Sequence, residues 1–246
     1  MKPIPIVALD VPDEQAALAL VRRLGDGCDF YKIGGELFTA CGPSVVDAVR
    51  REGKRVFLDL KFHDIPNTVR AASRSAATSG ASLITVHAVG GQSMVQAAVE
   101  GAGNQCGVLV VTVLTSMDAR AISDALGRKV ESVSDEVARL AMIAEGAGAH
   151  GVVCSGQEAA RIVADHSGRL ATLVPGVRLR GDSAQDQSRV VTPLDAAQAG
   201  ATYVVLGRTV TAAADPVAAM RRVNEELSGA EAASNRGQTP GSDPGV

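Results

Sequence analysis

The chain contains no tryptophan, and aromatic residues make up 2% of its 246 positions. It therefore lacks the side chains from which base-stacking platforms for nucleic acid are built. Positive charge is not in excess: 24 Lys and Arg face 27 Asp and Glu, a formal net charge of −3. That balance gives no electrostatic reason to expect nucleic acid or an anionic membrane as a partner. Cysteine is sparse. Cys28, Cys41, Cys106 and Cys154 stand apart, with no C-x-x-C pair and no histidine at metal-ligand spacing. They read as buried thiols rather than as a redox or metal motif. No apolar run approaches a membrane span, and the opening run from Ile4 to Leu9 is too short for a signal-peptide core. A cytoplasmic enzyme is the expectation. No G-x-G-x-x-G turn follows that first run, which argues against a doubly wound, dinucleotide-binding sheet.

Hydrophobic residues, at 46% of the chain, suffice for a large core. Short apolar runs alternate with Ala-rich amphipathic stretches. Strands are expected at 4–9, 30–33, 56–60, 83–87, 108–113, 151–154, 171–174 and 203–206. Helices are expected at 13–24, 43–52, 67–79, 93–101, 134–146 and 157–166. The strands are too apolar for a half-exposed sheet, so repeated βα units imply a parallel sheet covered by helices. Eight units at this length match a single-domain α/β fold, the (β/α)8 TIM barrel of roughly 250 residues. Two connections are long and polar, 115–133 after the fifth strand and 178–191 after the seventh. In a barrel both leave the C-terminal face, where active sites sit. The barrel domain is expected over 1–227. The remainder, 228–246, is Gly, Pro, Ser, Ala and Asn with almost no large apolar residues, and reads as a disordered tail.

The most informative segment is Phe57-Leu58-Asp59-Leu60-Lys61-Phe62-His63-Asp64-Ile65-Pro66-Asn67-Thr68. Side chains alternate along a strand, so Phe57, Asp59 and Lys61 share one face while Leu58, Leu60 and Phe62 share the other. Two readings stand. Asp59 and Lys61 are a surface pair and Asp64 a helix cap before Pro66; or the three are charges gathered for chemistry, because buried charges are tolerated mainly when paired and functional. Other strand ends tilt the balance. Asp10 ends the first strand, Lys32 lies on the second, His87 ends the fourth, and Thr115 and Ser116 follow the fifth. His87 fits a rim hydrogen bond as well as a ligand contact. Val174-Pro175-Gly176-Val177-Arg178 ends the seventh strand and Leu206-Gly207-Arg208-Thr209 the eighth. The glycines allow close backbone approach to an anion, and Arg208 offers a planar fork suited to phosphate. Loops after strands seven and eight of a barrel commonly bind phosphate.

The segment Asp59 to Thr68 closely resembles the signature of the orotidine 5′-phosphate decarboxylase family. Six ordered stretches extend the resemblance over roughly residues 4 to 225: Ile6–Asp10, Tyr31–Gly34, Thr85–Ala88, Val113–Met117, Val174–Arg178 and Leu206–Arg208. The resemblance implies a lyase of pyrimidine biosynthesis that turns OMP into UMP, with no metal and no cofactor. It implies a homodimer of barrels with shared active sites. Lys32, Asp59, Lys61 and Asp64 would form an alternating charge array, with Asp64 supplied by the partner and Lys61 protonating C6 of the pyrimidine. Asp10, Lys32 and the partner's Thr68 would meet the ribose. Thr115 and Ser116 would address the ring, and the partner's Ile65 would line its pocket. Gln187, Arg208 and the amide of Gly207 would hold the phosphate, with Pro175 and Arg178 nearby. The connection 178–191 would act as a lid.

Two rival functions remain. Mg2+-dependent enzymes of the same superfamily, such as a ketogulonate-phosphate decarboxylase or a hexulose-phosphate synthase, share D-x-K-x-x-D. Here Phe62-His63 and Ile65-Pro66-Asn67-Thr68 favour the orotidine type. A catalytically silent barrel that senses a phosphorylated ligand would have lost a Lys or Asp of the array, and none is lost.

Overall fold

The computed structural model describes residues 2–180 and 191–236. Eight parallel strands close into one barrel in sequence order. They are β1 (Ile4–Ala8), β2 (Phe30–Gly34), β3 (Arg55–Phe62), β4 (Leu83–His87), β5 (Gly107–Val111), β6 (Gly151–Val153), β7 (Ala171–Val177) and β8 (Tyr203–Leu206). β1 pairs with both β2 and β8, which completes the ring and leaves no sheet edge. The helices wrap the outside. They are α1 (Glu14–Leu24), α2 (Gly35–Cys41), α3 (Ser44–Arg51), α4 (Pro66–Thr78), α5 (Gly91–Ala102), α6 (Ala119–Leu126), α7 (Val133–Gly146), α8 (Gly156–Asp165), α9 (Pro193–Gln198), α10 (Arg208–Thr211) and α11 (Pro216–Arg236).

Two apolar layers follow from the alternation of strand side chains. Val7, Ile33, Leu58, Ile84, Val110 and Val204 face outward and pack with the helices in one cluster. Ile6, Phe30, Phe57, Leu83, Leu109, Leu173 and Tyr203 fill the interior in another. The N-terminal end of the barrel is plugged. Arg55 lies over the Phe30 ring at 4.1 Å, and His150 Nε2 sits 3.0 Å from the Tyr203 hydroxyl. The C-terminal end is open.

Three expectations change. The polar connection after β5 is not all loop: it holds α6, capped by Asp118 accepting from the Ala121 N–H at 2.8 Å and anchored by buried Ile122. The last helix runs past Leu227 to Arg236, so the first part of the expected tail is helical; Ala and Glu favour helix without needing large apolar side chains. Residues 237–246, like 181–190 with Gln187 and most of the expected lid, lie outside the described residues. Finally, Cys28, Cys106 and Cys154 are buried thiols as expected, but Cys41 is only partly covered.

Candidate active site

The interior side chains of each strand form a series of alternate residues. On β1 it runs Ile6, Ala8, then Asp10 beyond the strand end; on β2 it runs Phe30, Lys32; on β3 it runs Phe57, Asp59, Lys61. The lower members fill the apolar plug. The upper members are charged and meet at the open mouth. Lys32 Nζ is 3.0 Å from Asp10 Oδ1 and 3.9 Å from Asp59 Oδ2. Lys61 Nζ donates to both oxygens of Asp59, at 2.8 and 2.9 Å. The chain of charges therefore alternates: Asp10, Lys32, Asp59, Lys61. The Lys32 and Asp59 side chains are only 13% and 12% exposed. Charges so covered are stable only when paired, and here each has opposite charges on either side. Gly34 leaves the space this needs: a Cβ there would lie 3.0 Å from Lys32 Nζ.

The surface-pair reading of Asp59 and Lys61 is thus excluded. So is the cap reading of Asp64. The N-cap of α4 is Ile65, with no side-chain bond, and Pro66 follows it. Asp64 accepts a hydrogen bond from the Ile65 N–H at 2.6 Å and is exposed. Among the described residues it makes no ion pair, so it stands outside the array of its own barrel.

The array lines a cavity of about 480 Å3 that also meets Thr115, Pro175, Arg178, Gly207 and Arg208. Its apolar floor is Ala8, Phe57, Val111, Val153, Leu173 and Val205, none of which was expected from sequence as a site residue. On the far wall, Gly176 adopts φ +72°, a conformation that glycine takes at little cost. The register of β7 against β8 shifts between Val174 and Val177, which swings Pro175 and Gly176 into the wall. Arg178 is buried, its N–H bonded to the Val191 carbonyl at 3.0 Å. Of the residues expected in the site, Ser116, Asp64, Ile65 and Thr68 do not line this cavity and are exposed; Ile65 is 67% exposed.

His87 is absent from the cavity wall. Its ring lies 5.7 Å from that of His63. Burial, then His63 and Lys61, lower its pKa against the pull of Asp59, so the imidazole is biased toward neutral. Thr85, not singled out from sequence, touches both Asp59 and the Lys61 backbone. Among the described residues, no three His, Cys, Asp or Glu side chains cluster as a metal site, and no helix is long and apolar enough to cross a membrane.

Chemically, an ammonium fixed at the wall of such a cavity can stabilise developing negative charge and then release a proton to it. The fold and the site together define a (β/α)8 barrel of the enzyme kind, with a cluster of paired charges where the strands end. Within that class the chain belongs to the Orotidine 5'-phosphate decarboxylase / HUMPS family, whose model matches residues 3–223. Curated relatives agree. It is 51% identical to the orotidine 5'-phosphate decarboxylase of Anaeromyxobacter sp. (strain K), over 88% of this chain and 94% of that one. It is 44% identical to the enzyme of that name from Nitrosococcus oceani, over 91% and 97%. Among solved structures, the orotidine 5'-phosphate decarboxylase of Lactobacillus acidophilus superposes with a TM-score of 0.81 at 32% identity, covering 92% of this chain and 99% of that one.

Proposed function

We propose that this protein decarboxylates orotidine 5′-monophosphate to UMP and CO2, the last step of UMP biosynthesis, in the cytoplasm and with neither metal nor cofactor. One observation carries the reading: the Lys61 ammonium, held by both oxygens of Asp59, lines the cavity at the open end of the barrel. Loss of CO2 from C6 leaves a vinyl-type carbanion with no adjacent carbonyl to spread its charge. Such a carbanion calls for a preorganised cation at C6 that then becomes the proton donor. Lys61 has that role. Asp59 aims it through both carboxylate oxygens, and Lys32 pairs with Asp59 from the other side. Asp10 and Lys32 hold the ribose hydroxyls, and Thr115 and Ser116 meet the pyrimidine. Arg208, the Gly207 amide and Gln187 grip the phosphate, with Pro175 and Arg178 beside them. Phosphate binding lowers the barrier at C6 because contacts remote from the reacting bond position it.

The active unit is a homodimer. Asp64, Ile65 and Thr68 are exposed next to the mouth rather than inside it, as residues that serve a neighbouring barrel would be. The partner's Asp64 completes the array beside Lys61, the partner's Ile65 closes the ring pocket, and the partner's Thr68 reaches the ribose. Mixing Lys61→Ala with Asp64→Ala subunits regenerates part of the activity, because one site in the mixed dimer keeps both residues; no recovery would place Asp64 in its own chain's site. The reaction itself is tested by the fall in absorbance of OMP with and without EDTA. Equal rates are expected. A rate abolished by EDTA would favour the Mg2+-dependent relatives, and none at all would sink the reading.

A further inference from the structure

Thr85 is wholly buried on β4, yet its hydroxyl joins the two parts of the charged pair. The Lys61 N–H donates to Thr85 Oγ1 at 2.9 Å, and Thr85 Oγ1 lies 2.9 Å from Asp59 Oδ1. A backbone N–H only donates and an ionised carboxylate only accepts. The single hydroxyl proton therefore goes to Asp59, and the hydroxyl oxygen is left to receive Lys61. The direction of both bonds is fixed by chemistry alone.

The backbone says why such a bond is needed. The β3–β4 ladder pairs Leu58 with Ile84 and Phe62 with Val86. Residues 59–61 thus stand opposite Thr85 alone, and the ladder cannot accommodate them all. Lys61 takes up the excess with φ +51°. A non-glycine residue in that region persists only where its surroundings over-determine it. The Thr85 oxygen supplies the acceptor that the bulged N–H has lost from the ladder. Barrel filling does not itself demand a hydroxyl here. Leu109, which Thr85 pairs with on β5, also faces the interior and is apolar.

We infer that Thr85 is a positioning residue for the decarboxylation: its hydroxyl locks the left-handed turn that aims the Lys61 ammonium and orients Asp59 toward it. The inference rests on the role of Lys61 given above, and Thr85 itself is not part of the cavity wall. The test compares wild type with Thr85→Val, which keeps the shape and loses both bonds, and Thr85→Ser, which keeps the hydroxyl. With Thr85→Val, kcat on OMP falls about 10- to 100-fold, the penalty of a slightly misplaced catalytic group, while KM stays within about threefold because the binding groups are untouched. Thr85→Ser stays within about threefold of wild type in both. Independently of substrate, exchange of the Lys61 amide proton speeds up roughly tenfold or more in Thr85→Val and not in Thr85→Ser, because a hydrogen-bonded amide is protected. Should Thr85→Val fail to fold, Thr85→Cys, with a weak S–H in place of O–H, carries both readouts. A valine variant with wild-type kcat, a loss that serine shares, or unchanged Lys61 exchange would overturn the inference. Wild-type protein inert on OMP would instead remove the proposed function, and the exchange contrast would still judge the role of Thr85.

Discussion

Two strands open the mouth of the barrel by the same device and with different residues. β3 slips register against β4 between Leu58 and Phe62, and β7 slips against β8 between Val174 and Val177. Each slip needs one residue in the left-handed region: Gly176 at φ +72° on β7, Lys61 at φ +51° on β3. At β7 only space and a bend are required, so glycine serves. At β3 the bent residue must also carry an ammonium, so a side chain is kept where the backbone disfavours one, at roughly 1–2 kcal/mol. The supporting contacts differ accordingly. Lys61 is tied at its N–H by Thr85 and at its Nζ by Asp59, whereas the β7 slip needs no such side-chain support for its glycine. A bend carried by glycine is unstrained and needs no support; strain with buried polar support marks a group whose direction matters.

The largest expected effect breaks the contrast at the chemistry. Lys61→Ala lowers kcat on OMP by about 10⁴-fold or more, while calorimetry still detects UMP binding; turnover close to wild type would remove Lys61 as proton donor. Next, Arg208→Ala on the β8 side raises KM about 10- to 100-fold with a smaller change in kcat, as for loss of one charge-assisted contact to phosphate. Steady-state kinetics separates the two, and a pure kcat defect would contradict the assignment. The backbone comparison itself predicts effects of opposite direction. Gly176→Ala destabilises by about 1–2 kcal/mol in urea unfolding, but Lys61→Gly is more stable than Lys61→Ala by roughly 1 kcal/mol, since both lose the ammonium and only glycine relaxes the turn. Equal stability of that last pair would mean that Lys61 is not strained.

The smallest effect on activity serves as a control outside the cavity wall. Glu136 on α7 is buried and accepts from Arg139 and Arg128, at 2.6 and 2.7 Å. The Arg139 hydrogen bond holds its carboxyl below the usual range against the opposing effect of burial, with Arg128 assisting. A lowered carboxyl pKa stabilises the fold above the value for an unfolded glutamate, about 4.3, and that contribution is lost as pH falls through the folded value. Glu136→Gln therefore loses about 1–3 kcal/mol at pH 7 with kcat unchanged. Its deficit relative to wild type shrinks below pH 4. A deficit that stays constant down to pH 3 would point to packing rather than charge.

Much of this was legible from side-chain alternation. Once Phe30 and Phe57 are placed inside, Lys32 and Asp59 follow two residues on, and the eight apolar runs order the barrel around them. Alternation carries no φ, however, so the bulge at Lys61 left no trace in the sequence. Thr85 was missed for a related reason: a threonine in a β-branched strand looks like an ordinary strand former, and its function lies in a partner across the sheet. α6 was read as loop because Ile122 is its only buried residue. The helix past Leu227 was missed because apolar patterning cannot report a segment formed by Ala and Glu propensity.

The charges around the cavity have a consequence for direction of reaction. Among the described residues, its walls carry Lys32, Lys61, Arg178 and Arg208 against Asp10 and Asp59, four positive and two negative, a sum of +2. A nucleoside monophosphate near neutral pH brings about −2 on its phosphate, which these walls balance. Orotidine monophosphate brings one further negative charge on the ring carboxylate, left without a match, and the partner's Asp64 would add another of the same sign beside it. On this chain's own residues the pocket therefore matches the charge of the product and is overcharged with the substrate; CO2 leaves as a neutral molecule, so the extra charge stays at C6 until a proton reaches it, and balance returns only when a solvent proton replaces the one given up.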